Sequence, residues 1–320
     1  MRWLLTLLAS LAFAGCVSVS DAPSPATDKR IAITFDDIPR EPGAFLDRDE
    51  RAAMLIDGLA AAGVEQAAFF LNPGRIDDHP RAEAEIAAYV AAGHVIANHS
   101  ATHPRLSETD TTAYLADIDA AERWLAGRPG YRPWFRFPYL DEGQRDMPKR
   151  DALRAGLRER GLANGYVTVD ASDWWLEGAA KEARNSGKAI DRDALRDLYV
   201  ESHVEAAEFY DRLARRTWGR SPAHVLLLHE TDIAAMWIDD LIAALRDSGW
   251  TIVTADEAFA DPISGLAPDT PFAQGTLTEA AAWEKGLPAP RWYERNDTRV
   301  YEKLFAERVV LTRDPQEGPS

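Results

Sequence analysis

The stretch Ile31-Ala32-Ile33-Thr34-Phe35-Asp36-Asp37 sets the reading of the chain. Its apolar, β-branched run has the make-up of a strand buried on both faces, and it stops on two adjacent carboxylates. No Gly-x-Gly-x-x-Gly follows it, which removes the usual reason to expect a dinucleotide fold. Outward from this run, helix-like stretches at Glu50–Ala62 and Arg81–Ala92 alternate with strand-like ones at Glu65–Leu71 and His94–Ala97. A helix is expected around Ser107–Ala126, where Ser107 and Asp110 have capping-box spacing and Leu115, Ile118, Ala121 and Leu125 share a face. The rhythm resumes at Trp134–Arg136, Asp151–Arg160, Tyr166–Val169, His224–Leu228, Ala234–Asp247 and Trp250–Val253. Such alternation predicts an α/β fold with parallel strands. About seven such units in roughly 230 residues suit a deformed, closed (β/α) barrel, with an open doubly wound sheet as the rival.

A chain of 320 residues with 46% apolar positions can bury a full core. Its net charge of −16, from 52 acidic against 36 basic residues, argues against an unassisted grip on nucleic acid or anionic lipid. Arg2 followed by the apolar run Trp3–Ala14 reads as a signal peptide over residues 1–15, too short for a permanent span. The single cysteine, Cys16, follows in Phe13-Ala14-Gly15-Cys16, which resembles the lipobox of bacterial lipoproteins. Cys16 is therefore expected to carry a lipid anchor, the chain's one link to a membrane. The alternative is ordinary cleavage after the small-x-small run Ala12-Phe13-Ala14. Export follows in either case, lipid-anchored in the bacterial cell envelope in the first and secreted or periplasmic in the second, and no internal disulfide is possible. Residues 16–28 read as a flexible tether and 29–262 as the folded domain. A helical insertion is expected at about 176–222, carrying one long amphipathic helix with Leu195, Leu198, Ala206, Phe209 and Leu213 on one face. That helix is expected to pack on the outer ring rather than wall a cleft. Residues 263–320 read as an extension packed on the barrel, given Trp283, Trp292, Tyr293, Tyr301 and Phe305.

The polar clusters Asp36-Asp37, His99 with His103, Arg136, Asp170 with Asp173, and His229 each follow a predicted strand. In a parallel barrel that is the face where distant segments converge. Two histidines four residues apart plus a carboxylate from another strand make a His-His-Asp set with open positions, the catalytic pattern for zinc. Cobalt or another divalent ion is the alternative. Two adjacent carboxylates on an apolar strand end need neutralising, so one on a metal and one near Arg136 is the natural division.

Five segments, Thr34-Phe35-Asp36-Asp37, His99-Ser100-x-x-His103, Arg136-Phe137-Pro138-Tyr139, Asp170-x-x-Asp173-Trp174 and Leu227-Leu228-His229, resemble in order the motifs of the polysaccharide deacetylase (NodB-homology) family, carbohydrate esterase family 4. The resemblance spans about Ile31 to Ala260. It implies a metal-dependent hydrolase that removes N- or O-linked acetyl groups from an acetylated carbohydrate. Asp36 would be the general base, Asp37, His99 and His103 the metal ligands, and His229 the general acid. Arg136 would orient Asp36, Asp173 would orient His229, and the Tyr139 backbone N–H would help hold an oxyanion. Trp174 and Leu227 would wall the acetyl methyl. Ile38-Pro39 stands where the family often has Gly-Pro, which together with the helical insertion puts its usual polymers in doubt.

The remaining polar residues read more plainly. His79, His94, His203 and His224 have no partner at ligand spacing, and Glu230 and Asp232 read as a solvated loop. Two other functions stay in play: hydrolysis of a small non-sugar amide or imide on the same fold, and an inactive glycan-binding lipoprotein. The second would lack a ligand, base or acid, and none is lacking.

Overall fold

The computed structural model describes residues 28–311, so the signal segment, Cys16 and nearly all of the tether lie outside the described residues. In chain order the first half runs β1 (Arg30–Ile38), α1 (Arg48–Ala61), β2 (Ala68–Leu71), α2 (Ala82–Ala91), β3 (Val95–Asn98), α3 (Thr111–Leu125), β4 (Tyr131–Phe135), β5 (Asp141–Gln144), α4 (Met147–Glu159) and β6 (Ala163–Asn164). It continues with β7 (Val169–Asp170), α5 (Asp173–Asn185), β8 (Ala189–Ile190), α6 (Arg192–Trp218), β9 (Ala223–His229), α7 (Asp232–Asp247), β10 (Thr251–Ile252) and α8 (Ala255–Phe259). The last elements are β11 (Ala273–Gln274), α9 (Leu277–Glu284), α10 (Thr298–Arg308) and β12 (Val310–Leu311).

The main sheet is parallel, in the order β6-β4-β3-β2-β1-β9-β7, with β10 beside the start of β1. It curls into a deformed barrel with a seam: β6 and β7 form its edges and do not pair. Residues 165–168 cross that seam, hydrogen-bonded to both sides through Gly165 N to Phe135 O (2.6 Å) and Thr168 N to Val225 O (3.1 Å). So short a bridge spans at most about 18 Å, so the two edges must face each other. The expected deformed barrel of about seven strands is thus the fold, with its ladder interrupted at the seam. The two-residue edge strands are too short to close it.

Side-chain alternation builds two layers from one sheet. Ile31, Ile33, Phe35, Leu226 and Leu228 point outward into a core shared with Leu55 and Leu59 of α1 and Ile238 and Leu241 of α7. Each such fully buried side chain contributes about 1.5–3 kcal/mol. Ala32, Ala68, Ala97, Ala223 and Val225 face inward. These small residues leave room for Phe70, Tyr166 and Phe259 of α8, whose rings pack 5.1–6.2 Å apart and fill the lower barrel.

Three sequence expectations are corrected. The helix after Ser107 begins only at Thr111, capped by Asp110, whose side chain accepts from Thr112 N and Ala113 N. Ser107 is held elsewhere, its N–H and hydroxyl donating to Asp141 at 3.0 and 2.6 Å, so no capping box forms. The buried face is Tyr114, Ile118, Ala121 and Leu125, with Leu115 half-buried. The stretch before β9 holds two helices, not one. The second, α6, buries Leu195, Leu198, Ala206 and Leu213 against α7 and α9, while α5 borders the cleft described below.

Beyond residue 262, β11 pairs antiparallel with β5, β12 pairs with β8, and α10 packs on α5 and α6. Tyr293, Tyr301 and Phe305 are buried there, while Trp283 and Trp292 stay half-exposed.

Candidate active site

Asp36 sits on the inward face of β1, two residues after Thr34, and in register beside His229 of β9. After Phe35 the pairing with β2 slips and Asp37 takes φ 72°. That irregularity lets two successive carboxylates serve the same end of the barrel, although strict alternation would send them to opposite faces. Ser100 (65°), His103 (63°), Tyr139 (59°) and Ser172 (51°) are also left-handed. Such conformations are costly for non-glycine residues and collect at functional sites. Five of the seven such residues described fall on the segments singled out from the sequence, and the other two, Leu140 and Gln144, follow Tyr139 within five residues.

Arg136 is fully buried and ties the barrel interior together. Its Nη1 donates to Asp36 Oδ1 (2.6 Å) and Thr34 Oγ1 (2.9 Å), and its Nε to Gly165 O across the seam (2.7 Å). Its guanidinium lies 3.8 Å from the centre of the Phe70 ring. Burial pulls the guanidinium pKa down and the Asp36 carboxylate opposes that shift. The two charges therefore sustain each other.

His99 Nδ1 donates to Arg136 O (2.9 Å), which leaves the Nε2 lone pair facing Asp36 Oδ2 and Asp37 Oδ1, each 3.6 Å away. Burial lowers the His99 imidazole to about 4, against the opposing pull of Asp36, so it is neutral near pH 7 and able to act as a ligand. The His103 ring lies 4.9 Å from that of His99, with its Nε2 3.0 Å from Asp37 Oδ1. That contact is not aligned as a hydrogen bond, and Asp37 Oδ1 is buried without a donor. Burial raises the Asp37 carboxyl, but the His103 imidazole and the charge of His229 outweigh it and hold it well below the usual carboxylate range.

Ligand atoms of Asp37, His99 and His103 lie within 4.8 Å of one another. Tetrahedral zinc separates its ligand atoms by about 3.4 Å, close to the 3.0 and 3.6 Å seen between Asp37 and the two imidazoles. The unfilled Asp37 oxygen and the neutral His99 ring are what a divalent cation requires.

Asp173 is fully buried and grips His229 twice, accepting from its backbone N and from ring Nδ1, both at 2.7 Å. The imidazole Nε2 makes no hydrogen bond among the described residues. Burial pulls His229 down, but the Asp173 carboxylate, aided by Asp37, more than offsets it and raises the group to about 8. Burial raises the neighbouring Asp170 to about 6.

The Tyr139 ring packs 4.5 Å from His103 and under Arg105. The turn's hydrogen bonds run from Leu140 N to Phe137 O and from Asp141 N to Pro138 O, leaving the Tyr139 N–H outside them. Trp174, on the first turn of α5, stands half-exposed on the rim, and Leu227 faces inward from β9 between Val225 and His229. Every site residue expected from the sequence, Cys16 apart, thus belongs to one end of the barrel.

Other residues at this end were not anticipated. Asn72 Nδ2 donates to His99 O (2.6 Å) and Asp117 accepts from Ala101 N and Thr102 N, so the histidine loop is clamped from two sides. Arg40 Nη1 donates to Asp37 Oδ2 (2.6 Å). From the C-terminal stretch, Asn296 accepts from Ser172 Oγ (2.9 Å) and donates to Asp170 O (3.1 Å), bracing the turn before Asp173. Glu230 and Asp232 are not solvated. Both are buried and face Arg51 at 3.5 and 3.4 Å, and Asp232 also accepts from Phe45 N and Leu46 N. His203 lies near Asp173, with Nδ1 on Tyr199 O (2.6 Å). His94, at the opposite end of the barrel ahead of β3, accepts from Ala67 N and is structural.

With this geometry in hand, a family model described as polysaccharide deacetylase matches residues 24–159. A chitooligosaccharide deacetylase of Rhizobium leguminosarum bv. trifolii is 33% identical over 163 residues, covering 50% of this chain and 67% of that protein. The chain belongs to the polysaccharide deacetylase family. A peptidoglycan-N-acetylglucosamine deacetylase of Listeria monocytogenes is 24% identical over 251 residues, 77% of this chain but only 42% of that protein. The chain therefore spans less than half the length of that relative. Among solved structures, a carbohydrate esterase family 4 pseudoenzyme from Bacillus anthracis matches with TM-score 0.51 and 18% identity, covering 73% of this chain and 66% of that one. That likeness concerns the fold. In this chain the family-model match holds Asp36, Asp37, His99, His103 and Arg136, while Asp173 and His229 lie beyond it.

Proposed function

We propose that this chain is a divalent-metal-dependent deacetylase that removes N- or O-linked acetyl groups from an acetylated carbohydrate of the cell envelope or the environment. The observation that carries the reading is the meeting of Asp37, His99 and His103 within 4.8 Å, beside an Arg136-paired Asp36 and an Asp173-paired His229. Asp37, His99 and His103 would hold the cation, zinc by their donor set, with cobalt or another divalent ion as the alternative. When bound, it supplies Lewis-acid polarisation of the acetyl carbonyl and lowers the pKa of a water to about 7.

The chain's own groups do the rest. Asp36, oriented by the Arg136 hydrogen bond, accepts the proton of the attacking water. The Tyr139 N–H donates to the oxyanion as the carbonyl turns tetrahedral. His229, protonated and turned by Asp173 so that Nε2 is available, donates to the departing amine or alkoxide. Trp174 and Leu227 exclude water around the acetyl methyl.

Residues 29–262 would form the catalytic unit, supported by the described part of the extension, residues 263–311. The N-terminal sequence favours export and a lipid anchor at Cys16. No described helix is long and apolar enough to cross a membrane.

The test is acetate release across acetylated chitin, xylan and peptidoglycan fragments, with the metal removed by chelation and then restored. Metal-restored release supports the reading. Release that survives full chelation removes the metal from it. Turnover of small amides with none of any acetylated oligosaccharide replaces the substrate class.

A further inference from the structure

A cleft with about 280 Å³ of free space opens beside Asp37, bounded on one side by the exposed flank of α5 and on the other by the turn after β2. Besides Arg51, which is buried against Glu230 and Asp232, its walls carry three cations, Arg40, Arg75 and Lys181, beside the carboxylates of Asp37, Glu41 and Glu177, on a protein whose net charge is −16. None of the three is spent on an ordinary surface ion pair. Arg75 has no carboxylate within ion-pair distance among the described residues, and Lys181 Nζ contacts only the Pro42 carbonyl (2.9 Å). Among the described residues Arg40 is paired solely with Asp37, the carboxylate assigned above to the cation. Of the acidic groups in the same walls, Glu177 is buried and accepts from Ala44 N and Ile233 N, and Glu41 lies 3.5 Å from His79. Trp174, half-exposed, is part of the same lining and offers it a flat apolar face.

We infer that this cleft binds an anionic substituent, a carboxylate or phosphate, on the sugar next to the one being deacetylated. The inference rests on the deacetylase reading and adds the charge of its substrate. Guanidinium groups favour such oxyanions by paired, charge-assisted hydrogen bonds. A neutral chitin-like chain would leave Arg75 and Lys181 unused. The strong negative field elsewhere on the surface would confine a charged glycan to this cleft.

The experiment compares acetate release from O-acetylated oligouronides, from the same oligomers after carboxyl reduction to neutral sugars, and from an acetylated disaccharide phosphate. The proteins are the parent, the Arg75→Ala/Lys181→Ala double variant and Arg75→Lys. The parent should prefer the charged oligomers by about tenfold in kcat/KM, mainly through KM, the size of one good charge-assisted hydrogen bond. That ratio should shrink with added salt, fall toward one in the double variant, and persist in Arg75→Lys. The carboxylate and phosphate arms identify the group. A ratio of one in the parent, or one unchanged in the double variant, overturns the inference and leaves the deacetylase reading standing. Should none of these oligomers release acetate, the deacetylase reading is decided by the chitin, xylan and peptidoglycan fragments alone, and calorimetry with unacetylated oligouronide decides the cleft. Binding weakened about tenfold in the double variant retains the cleft, and equal binding, or none to the parent, discards it.

Discussion

Replacing Asp173 by Asn should move the alkaline limb of the deacetylation rate profile. The Asp173 carboxylate lies 2.7 Å from His229 Nδ1 and is fully buried. Two unit charges about 4 Å apart interact by about 4 kcal/mol at an effective dielectric of 20. That is enough to overcome the burial that would otherwise depress the imidazole, and the balance leaves His229 at about 8. A cation on Asp37 cancels that carboxylate's share, so the limb lies at or below 8. His229 serves as an acid when protonated, so kcat/KM should be flat below this limb and fall as pH rises through it. In Asp173→Asn, burial acts unopposed by the nearest charge and the limb drops below 6.5, the ordinary histidine value. At pH 7.5 the protonated fraction then falls from about three quarters to under about a tenth. Stability follows the same sign. A raised folded-state pKa contributes up to about 2 kcal/mol, fully present below the unfolded value near 6.5 and lost as pH rises through about 8. The assay is acetate release from pH 5 to 10, as a full kcat/KM profile. A variant that keeps substantial turnover with its alkaline limb unmoved would refute His229 as the acid poised by Asp173.

Asp36→Asn should keep the parent's metal content by elemental analysis while turnover falls about 10²–10⁴-fold, and His103→Ala should lose both metal and turnover. Arg136→Leu leaves Asp36 buried without its cation and should cost about 3–5 kcal/mol in denaturant unfolding, whereas a loss under 1 kcal/mol would mean the pair is not mutually supporting. Asn296→Ala removes two hydrogen bonds that brace the turn before Asp173, and should lower kcat about tenfold with KM little changed. A matching fall in thermal stability with kcat intact would make Asn296 structural only.

The sequence reveals the strands best where an apolar run meets a polar cluster, as at Phe35-Asp36, Ala97 to His99 and Leu228-His229, because strand burial and site chemistry change over within one or two residues. What it hides has identifiable causes. Helix α5 begins at Asp173 behind Ser172, which has φ 51° and makes no capping hydrogen bond, so no start signal marks it. The barrel seam is bounded by β6 and β7, two residues each, too short to show a period of two. Glu230 looks like a loop residue because its partner Arg51 is 179 positions away, and Asn296 meets Asp170 across 126 positions. Such pairings are products of the closed fold. Ser107 lost its cap to Asp141, a competition no local pattern records.

The proposed deacetylase requires a divalent ion to settle between Asp37, His99 and His103. Crystals grown with zinc or cobalt and measured at the metal's absorption edge should give one dominant anomalous peak about 2.0–2.2 Å from Asp37 Oδ1, His99 Nε2 and His103 Nε2. A peak that avoids those three atoms, or fully ordered side chains with none between them at saturating metal, would contradict that requirement.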